Sequence, residues 1–311
     1  MGLIRLLIIL LLPVVTLSHL HAADDQSGTS VFLPELVDKI HADISIAVIR
    51  PFERFDSFFG DQRLNEDTRR SRLDTAIGIR YDRFDESTLL TDVRLRIVLP
   101  RMEDRFQLFL DDTFAVDSPA RETEIVTAAE NSTPDVGLRY FFPRTGRWTL
   151  RGDLGGRLGS TPQLLLRLRG SRAVAVGSWD MYLSQSLFWL TRDRWGESSE
   201  LRWSRPLADE RLFRTLTRLS WSQSEPGVTP YQGVELFGTV NPRLGYRFGL
   251  SASFPRTPHT THGIYSLSSF LRYRFHSTWL FLDGGGGVEF PQIHGYNPNP
   301  FVILKVEAIF Q

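Results

Sequence analysis

Cysteine is absent from the 311 residues of the chain, and lysine occurs only as Lys39 and Lys305. Without cysteine the chain has no disulfide framework, no thiolate nucleophile and no cysteine metal site. Because lysine is so scarce, almost every basic side chain is an arginine, whose planar fork pairs bidentately with carboxylates and phosphates. Any charged surface of this protein is therefore built mainly from arginine and carboxylate groups.

The chain also has little net charge and no long apolar run after residue 22. Its formal net charge is +0 and its mean hydropathy is −0.17. A nucleic-acid-binding protein normally has a strong basic excess, so we expect no nucleic-acid partner. A membrane-spanning helix needs about 20 consecutive apolar residues, and residues 23–311 offer no such run.

The first residues have the order of a secretory signal peptide. Arg5 supplies a positive charge, residues 6–15 are apolar except for Pro13, and small residues follow at Ala22 and Ala23. This order predicts a signal peptide over residues 1–22. The alternative, a retained membrane anchor, is disfavoured because the apolar run is too short to span a bilayer.

From about Arg72 onwards, segments of some ten residues alternate between apolar and polar positions, with turn-forming residues between them. In one segment Leu73, Ile77, Ile79 and Tyr81 alternate with charged or small residues. Alternation with a period of two places all the apolar side chains on one face of a β-strand. The pattern predicts a series of strands, each with one apolar and one charged face.

We identify fourteen such strands. They lie near residues 72–81, 89–99, 105–112, 134–142, 147–158, 163–175, 178–191, 197–205, 211–222, 230–240, 243–254, 262–275, 278–290 and 300–310. An even count is the rule for bacterial single-chain membrane barrels. Gly170, Arg172 and Gln185 interrupt the apolar faces of the sixth and seventh strands, so twelve strands is an alternative. The predicted fold is an all-β, antiparallel, up-and-down transmembrane barrel.

Alternation alone does not decide whether the apolar face points outwards. A soluble barrel of fourteen strands would enclose more volume than one layer of side chains fills, although two packed sheets would avoid this difficulty. Aromatic residues at strand ends, such as Phe141, Trp148, Tyr231 and Trp279, favour a barrel with two membrane interfaces. Connections of unequal length, from the short turn at 241–243 to the acidic segment 111–135, favour the same architecture.

The C-terminal strand resembles the assembly signal of outer-membrane barrels, which usually ends in an aromatic residue. Here Val302, Leu304, Val306 and Phe310 share a face, and Gln311 follows the terminal aromatic residue as a small departure. Segments 54–61, 195–197, 279–282 and 297–301 are similar to a group of uncharacterised proteobacterial outer-membrane β-barrel proteins. The resemblance covers most of the chain after the signal peptide. It implies the architecture and no activity.

Residues 23–65 form a different segment, and we assign the barrel to residues 66–311. Apolar residues recur every three or four positions from Leu33 to Phe59, which is the period of an amphipathic helix, and Pro51 would kink or end its first part. Such a helix could pack on the barrel mouth for stability, cap it, plug the barrel or bind a partner. We expect a periplasmic or plug segment.

The charged strand positions form the candidate functional surface, because they face away from the apolar side. The predicted lumen-facing residues are Arg80, Asp92, Arg94, Arg96, Arg139, Arg151, Asp153, Arg157, Arg202, Arg214, Arg218, Glu235, Arg247, Arg272 and Arg274. A lumen rich in arginine would select anionic solutes. The competing interpretation is a lattice of arginine–carboxylate pairs that braces the wall.

The sequence provides no convincing catalytic or metal site. A lipase-type site needs a serine beside a histidine base, and the available pairs, His262 with Ser266 and His276 with Ser277, lack the close His-x-Ser spacing of outer-membrane phospholipases. His259, His262 and His294 have no metal-ligand spacing. We therefore predict no cofactor, no metal and no catalytic residue, and we interpret the glycines at 284–287 as positions of close backbone approach or a bulge.

These observations predict an exported, porin-like protein of the Gram-negative outer membrane. The favoured function is a narrow or gated pore for small polar or anionic solutes. A closed structural or interaction barrel is the main alternative, and a lipid-modifying enzyme is the third. The expected partners are membrane lipids, lipopolysaccharide and, through the C-terminal strand, the outer-membrane barrel assembly machinery.

Overall fold

The computed structural model describes residues 71–310 except 85, 100–104, 112–133, 144–146, 159–160, 209, 225–226, 255, 258–259 and 276–278. The predicted signal peptide, the 23–65 segment with its predicted helix, and the start assigned to the barrel at residue 66 all lie outside the described residues. So do His259, His276 and Ser277. In the described part of the chain, no helix has the length and apolar character needed to cross a membrane.

Fourteen antiparallel strands form a closed barrel, as the sequence predicts. The first eight are β1 (Arg72–Asp82), β2 (Glu86–Val98), β3 (Phe106–Asp111), β4 (Asp135–Phe141), β5 (Thr149–Arg157), β6 (Gln163–Val176), β7 (Trp179–Leu190) and β8 (Arg194–Ala208). The others are β9 (Arg211–Ser222), β10 (Val228–Asn241), β11 (Leu244–Ser253), β14 (Ile264–Arg274), β15 (Leu280–Pro291) and β16 (Asn299–Phe310). The short strands β12 (Arg256–Thr257) and β13 (Thr260–Thr261) form a separate hairpin between β11 and β14.

Closure is made by β1 and β16, which pair from Leu73 opposite Phe310 to Asp82 opposite Phe301. The first strand therefore begins where the last strand ends, at what we call the terminal end of the barrel. The opposite end is called the far end. Closure leaves no unpaired edge, so the backbone hydrogen bonds of the wall are made between strands.

The sixth and seventh strands, which the sequence defines least clearly, form a long regular hairpin. β6 and β7 pair without a break from Leu165 opposite Leu190 to Val176 opposite Trp179. Gly177 closes the turn with a φ of 61°, a left-handed conformation that glycine adopts without steric cost. Fourteen strands, and not the alternative twelve, is the observed count.

Connections at the terminal end are short, as at residues 177–178 and 242–243. At the β10–β11 turn, the backbone N–H groups of Arg243 and Leu244 donate to the side-chain oxygen of Asn241 at 2.8 and 2.9 Å. Asparagine commonly stabilises turns in this way. The longest connection, between β3 and β4, is at the far end.

Glycines in β15 allow close approach of neighbouring strands, which agrees with the first of the two interpretations of residues 284–287. A Cβ atom on Gly285 would lie 2.2 Å from the carbonyl oxygen of Ser269, and one on Gly287 would lie 2.1 Å from that of Leu267. The pairing of β15 with β14 and with β16 has no register shift, so these described pairs contain no bulge.

Candidate functional site: the inner face of the barrel wall

Burial distinguishes the two faces of the wall. In β1, Arg72, Asp74 and Arg80 are buried, whereas Ile77 and Ile79, on the other face, are more than half exposed. Side chains inside a closed barrel have restricted access to solvent, so the buried positions mark the inner face. The inner face is predominantly polar, and the outer face is predominantly apolar.

The most concentrated charge on the inner face lies on β4, β5 and β6. Arg139 donates from Nε to Oδ1 of Asp153 at 2.8 Å and from Nη2 to Oδ2 at 3.2 Å. Arg167 donates from Nε to the same Oδ2 at 2.9 Å, and its Nη2 also contacts that oxygen. Strand register explains this geometry, because Asp153 lies opposite Arg139 on one side and opposite Arg167 on the other.

Two further arginines lie one step along the same strands. Arg151 of β5 lies opposite Arg169 of β6, and Arg169 donates from Nη2 to the Ser184 hydroxyl at 3.1 Å. We call Arg139, Arg151, Arg167, Arg169 and Asp153 the arginine cluster. It contains four guanidinium groups and one carboxylate, and all five side chains are buried. The guanidinium groups outnumber the carboxylate, so the cluster has an excess of positive charge.

The inner face of β14, β15 and β16, next to the closure of the barrel, has a different balance of charges. Arg272 of β14 donates from Nε to Oδ1 of Asp283 at 2.7 Å and from Nη2 to Oδ2 at 3.1 Å, and it also contacts Glu307. Lys305 lies 3.3 Å from Asp283 and 3.5 Å from Glu307. This group contains two cations and two carboxylates.

Arg80 of β1 lies between two carboxylates. Its Nε donates to Asp82 at 2.5 Å and its Nη2 donates to Glu289 at 2.9 Å. The positive charge of the described inner face is thus distributed unevenly around the barrel.

Most of the other candidate residues also make ion pairs. Arg94 contacts Asp92, Arg157 donates to Asp135 at 3.0 Å, Arg218 donates to Glu200 at 2.9 Å, and Arg247 lies 3.8 Å from Glu235. Arg214 donates to the Ser204 hydroxyl at 3.4 Å. Arg96 and Arg202 are buried, and Arg274 is half-buried. All of the candidate residues occupy inner-face strand positions, and only Arg139, Arg151 and Asp153 of the set belong to the arginine cluster.

Aromatic rings on the inner face support many of the arginines. The distances from the guanidinium carbon to the ring centroid are 4.6 Å for Arg80 over Phe301, 4.9 Å for Arg139 over Phe109, 4.6 Å for Arg202 over Tyr182, 5.0 Å for Arg214 over Phe237, 5.0 Å for Arg247 over Phe270 and 4.7 Å for Arg272 over Phe281. A cation over an aromatic face is stabilised by the ring quadrupole. The rings also fix the direction of these long side chains.

Apolar side chains pack on the inner face as well. Leu90, Phe270, Phe301 and Ile303 form one buried cluster, and Leu165, Phe188 and Leu190 form another. These inner-face residues are not predicted from the sequence, because the alternation assigns apolar side chains to the outer face. Residues 301–304 are apolar at four consecutive positions, and this run was the available signal that both faces are apolar there.

Two aromatic residues expected at a membrane interface instead lie on the inner face. Phe141 and Tyr231 are buried, at 1% and 3% exposure. Each residue lies at an inward-facing position of its strand. Tyr231 packs against Gly233, which has no side chain and so leaves room for the ring. By contrast, Trp148 lies beneath Arg172 and Trp279 stacks on Phe310, and both of these partners are on the outer face.

The described part of the chain contains no group of three histidine or carboxylate residues placed to hold a metal. His294 stacks on Phe84, with ring centroids 4.0 Å apart. Ser266 lies on the inner face of β14 and is buried, whereas His262 precedes that strand. No contact between His262 and Ser266 supports a catalytic pair.

Known structures similar to this chain include outer-membrane proteins. OmpTdeltaL8, a loop-deletion mutant of OmpT from Vibrio cholerae, aligns at 9% identity with a TM-score of 0.48, covering 78% of this chain and 98% of that protein. CdiB from Acinetobacter baumannii aligns at 11% identity and a TM-score of 0.49, over 77% of this chain and 60% of CdiB. OccK10 from Pseudomonas aeruginosa aligns at 9% identity and 0.46, over 77% and 98%. No protein-family model and no curated protein sequence matches the chain.

Proposed function

We propose that the protein is an exported outer-membrane β-barrel that forms a narrow or gated pore for small polar or anionic solutes. The observation that carries this proposal is the arginine cluster on the inner face, with four guanidinium groups around one carboxylate. A positive potential on a low-dielectric wall raises the local concentration of anions. The same residues provide donors for a carboxylate or phosphate group.

The outer face supports the membrane location. Large apolar side chains more than half exposed include Ile77, Ile79, Leu89, Leu154, Leu164, Leu267, Val302 and Leu304. Exposing them to water is unfavourable, whereas lipid chains accommodate them. Strands such as β1, with 11 residues, and β16, with 12, are long enough to cross an apolar layer that needs about 9–11 tilted residues. The signal peptide, lipopolysaccharide and assembly-machinery partners belong to this same proposal.

The inner face supports a narrow passage. Its large side chains include Arg139, Arg151, Arg169, Phe109 and Phe281, all with less than 2% exposure. Barrels of this strand number lie between the filled eight-stranded and the open sixteen-stranded cases, so the size of the inner side chains decides the width. We propose that residues 23–65 act as the periplasmic or plug segment that gates this passage.

A closed structural or interaction barrel is the second candidate. The observation that favours it is the apolar packing of Leu90, Phe270, Phe301 and Ile303 on the inner face, because apolar surface is poorly suited to a water-filled lumen. The two functions differ in one measurable property, the passage of ions.

Conductance across a planar bilayer tests the proposal. The purified protein should give small channels, and under a salt gradient their reversal potential should indicate anion preference that weakens at high salt. Deleting residues 33–59 should increase the conductance. Absence of conductance from both the intact and the deleted protein would refute the pore and favour the closed barrel.

Substitutions in the arginine cluster make the test specific. Arg151→Gln combined with Arg169→Gln should shift the reversal potential towards cation preference, because two charges leave the inner face. Arg172→Gln is the matched control, since Arg172 lies on the outer face of β6. Equal shifts from the double variant and the control would contradict a selective role for the cluster.

A further inference from the structure

Two groups of aromatic residues mark the depth of the wall on the outer face of β7–β9. At the far end, Trp189 lies opposite Trp195. At the terminal end, Trp179 makes edge contacts with Trp203 and Phe213 at centroid distances of 6.3 and 6.1 Å. Such rings are typical of the two membrane interfaces. Trp179 and Trp189 are ten residues apart, or about 33 Å along a strand and about 25 Å in height at the usual tilt, the thickness of the apolar band.

Between these aromatic groups, the outer face of β7–β10 carries several polar side chains among leucines such as Leu187 and Leu219. We define the outer polar patch as Gln185, Glu197, Ser199, Thr217 and Gln232. Gln185 donates from Nε2 to Oε1 of Glu197 at 2.5 Å and accepts from the Ser199 hydroxyl at 2.7 Å. Thr217 donates to the side-chain oxygen of Gln232 at 2.7 Å. The strand alternation places all five side chains opposite the buried inner-face positions.

The opposite wall has a different composition at the same depth. On β16, β1 and β2 the outer face presents residues such as Val302, Leu304, Ile77, Ile79 and Leu89, each more than half exposed. That surface is suited to lipid chains. The contrast between the two walls shows that the outer polar patch is a local feature.

Contact with lipid chains would leave hydrogen-bonding groups of the patch unsatisfied. Among the described residues, Oε2 of Glu197 has no donor, and the second amide hydrogen of Gln185 has no acceptor. Unsatisfied polar groups are unfavourable in the apolar part of a bilayer, and an ionised carboxylate is more so. These groups therefore indicate a polar partner at membrane depth.

We propose that the outer polar patch is the surface on which a second copy of this chain packs within the membrane. The donor and acceptor left over in the patch complement each other. A two-fold axis along the membrane normal relates the two copies without changing the depth of any residue. Gln185 of each copy can therefore donate to Glu197 of the other copy. A second copy thus satisfies both groups. This inference rests on the membrane location proposed above, but not on the pore.

Single-cysteine cross-linking tests the interface, because the chain has no native cysteine. Ser199→Cys, oxidised in native outer membranes, should give a covalent dimer of twice the chain mass. Ile77→Cys, on β1 at the opposite side of the strand order, should remain monomeric. A Ser199→Cys variant that is folded and membrane-bound but gives no dimer would overturn the proposal, and so would cross-linking only to a protein of another mass.

An apolar replacement of the patch provides the second measurement. Gln185→Leu, Ser199→Val, Thr217→Val and Gln232→Leu together should convert a sedimenting dimer in mild detergent into a monomer. A patch that faces lipid would instead give the same species before and after the change, which would refute the interface. Heat-modifiable migration on a gel must be retained in both arms. Recovery of the unmodified protein as a soluble periplasmic species would instead refute the proposed location, so the two failures are distinguishable.

Discussion

Arg139 on β4 and Asp153 on β5 lie directly opposite each other and are joined by two hydrogen bonds, both with side chains almost wholly buried. Asp153 is at the same time the acceptor for Arg167 of the next strand. One carboxylate therefore connects three consecutive strands of the wall. Because it also lies within a group of arginines, its removal affects more than one pair.

Replacing Asp153 by asparagine should destabilise the barrel strongly. The change leaves Arg139 and Arg167 buried without their shared carboxylate, and breaking a buried pair costs about 3–5 kcal/mol. The free energy of unfolding in denaturant, measured in lipid vesicles, gives the value. Asp193→Asn is the matched control, because Asp193 lies 3.9 Å from Arg157 and is 37% exposed. Its loss should cost no more than about 1 kcal/mol. Equal effects of the two substitutions would contradict this role of Asp153.

A charged residue introduced on the outer face should destabilise the barrel in a bilayer. Leu154 lies in the middle of β5 and is 58% exposed. Leu154→Arg should lower the unfolding free energy in a bilayer by about 2–4 kcal/mol, the cost of arginine near the bilayer midplane. Leu154→Ala controls for the loss of the leucine itself. Identical stabilities of the two variants would mean that this face does not contact lipid.

Neighbouring glycines of β15 should respond differently to a methyl group. A Cβ at Gly285 would lie 2.2 Å from the Ser269 carbonyl oxygen and 2.7 Å from the Phe270 Cα, whereas one at Gly284 would meet only the Leu304 Cδ1, at 3.7 Å. Gly285→Ala should therefore destabilise the barrel by about 1–3 kcal/mol, because backbone must shift. Gly284→Ala should be tolerated. Unfolding midpoints of the two variants provide the measurement, and equal midpoints would show that the strands relax freely.

The strands were predictable because most of them have one mainly apolar face. In β11, Leu244, Phe248 and Leu250 alternate with small or charged residues, and the predicted segment 243–254 agrees closely with Leu244–Ser253. Even the interrupted β6 and β7 were recovered, since Gly177 marks the turn between them. Periodicity is a property of the local sequence, so it predicts a strand without knowledge of which strands will be its neighbours.

The inner face was less predictable because it depends on which strands are neighbours. The arginine cluster requires Asp153 to lie opposite both Arg139 and Arg167, and this follows from strand register. The apolar residues Phe301 and Ile303 lie inside for the same reason, opposite Asp82 and Arg80. Period-two alternation separates two faces, but it does not reveal which rings will lie beneath which guanidinium groups.

Quenching by lipids with brominated chains tests the central claim most directly, namely that the apolar face of a closed barrel meets the membrane and the charged face does not. Ile77 and Ala76 are adjacent on β1 and point to opposite faces: Ile77 is 57% exposed, and Ala76 lies opposite Asp92 and Glu307. Single cysteines at these positions can be labelled with the same fluorophore in the otherwise cysteine-free chain. The account predicts strong quenching of the label at Ile77→Cys and little at Ala76→Cys. Stronger quenching at Ala76→Cys, or no quenching at either position, would contradict it.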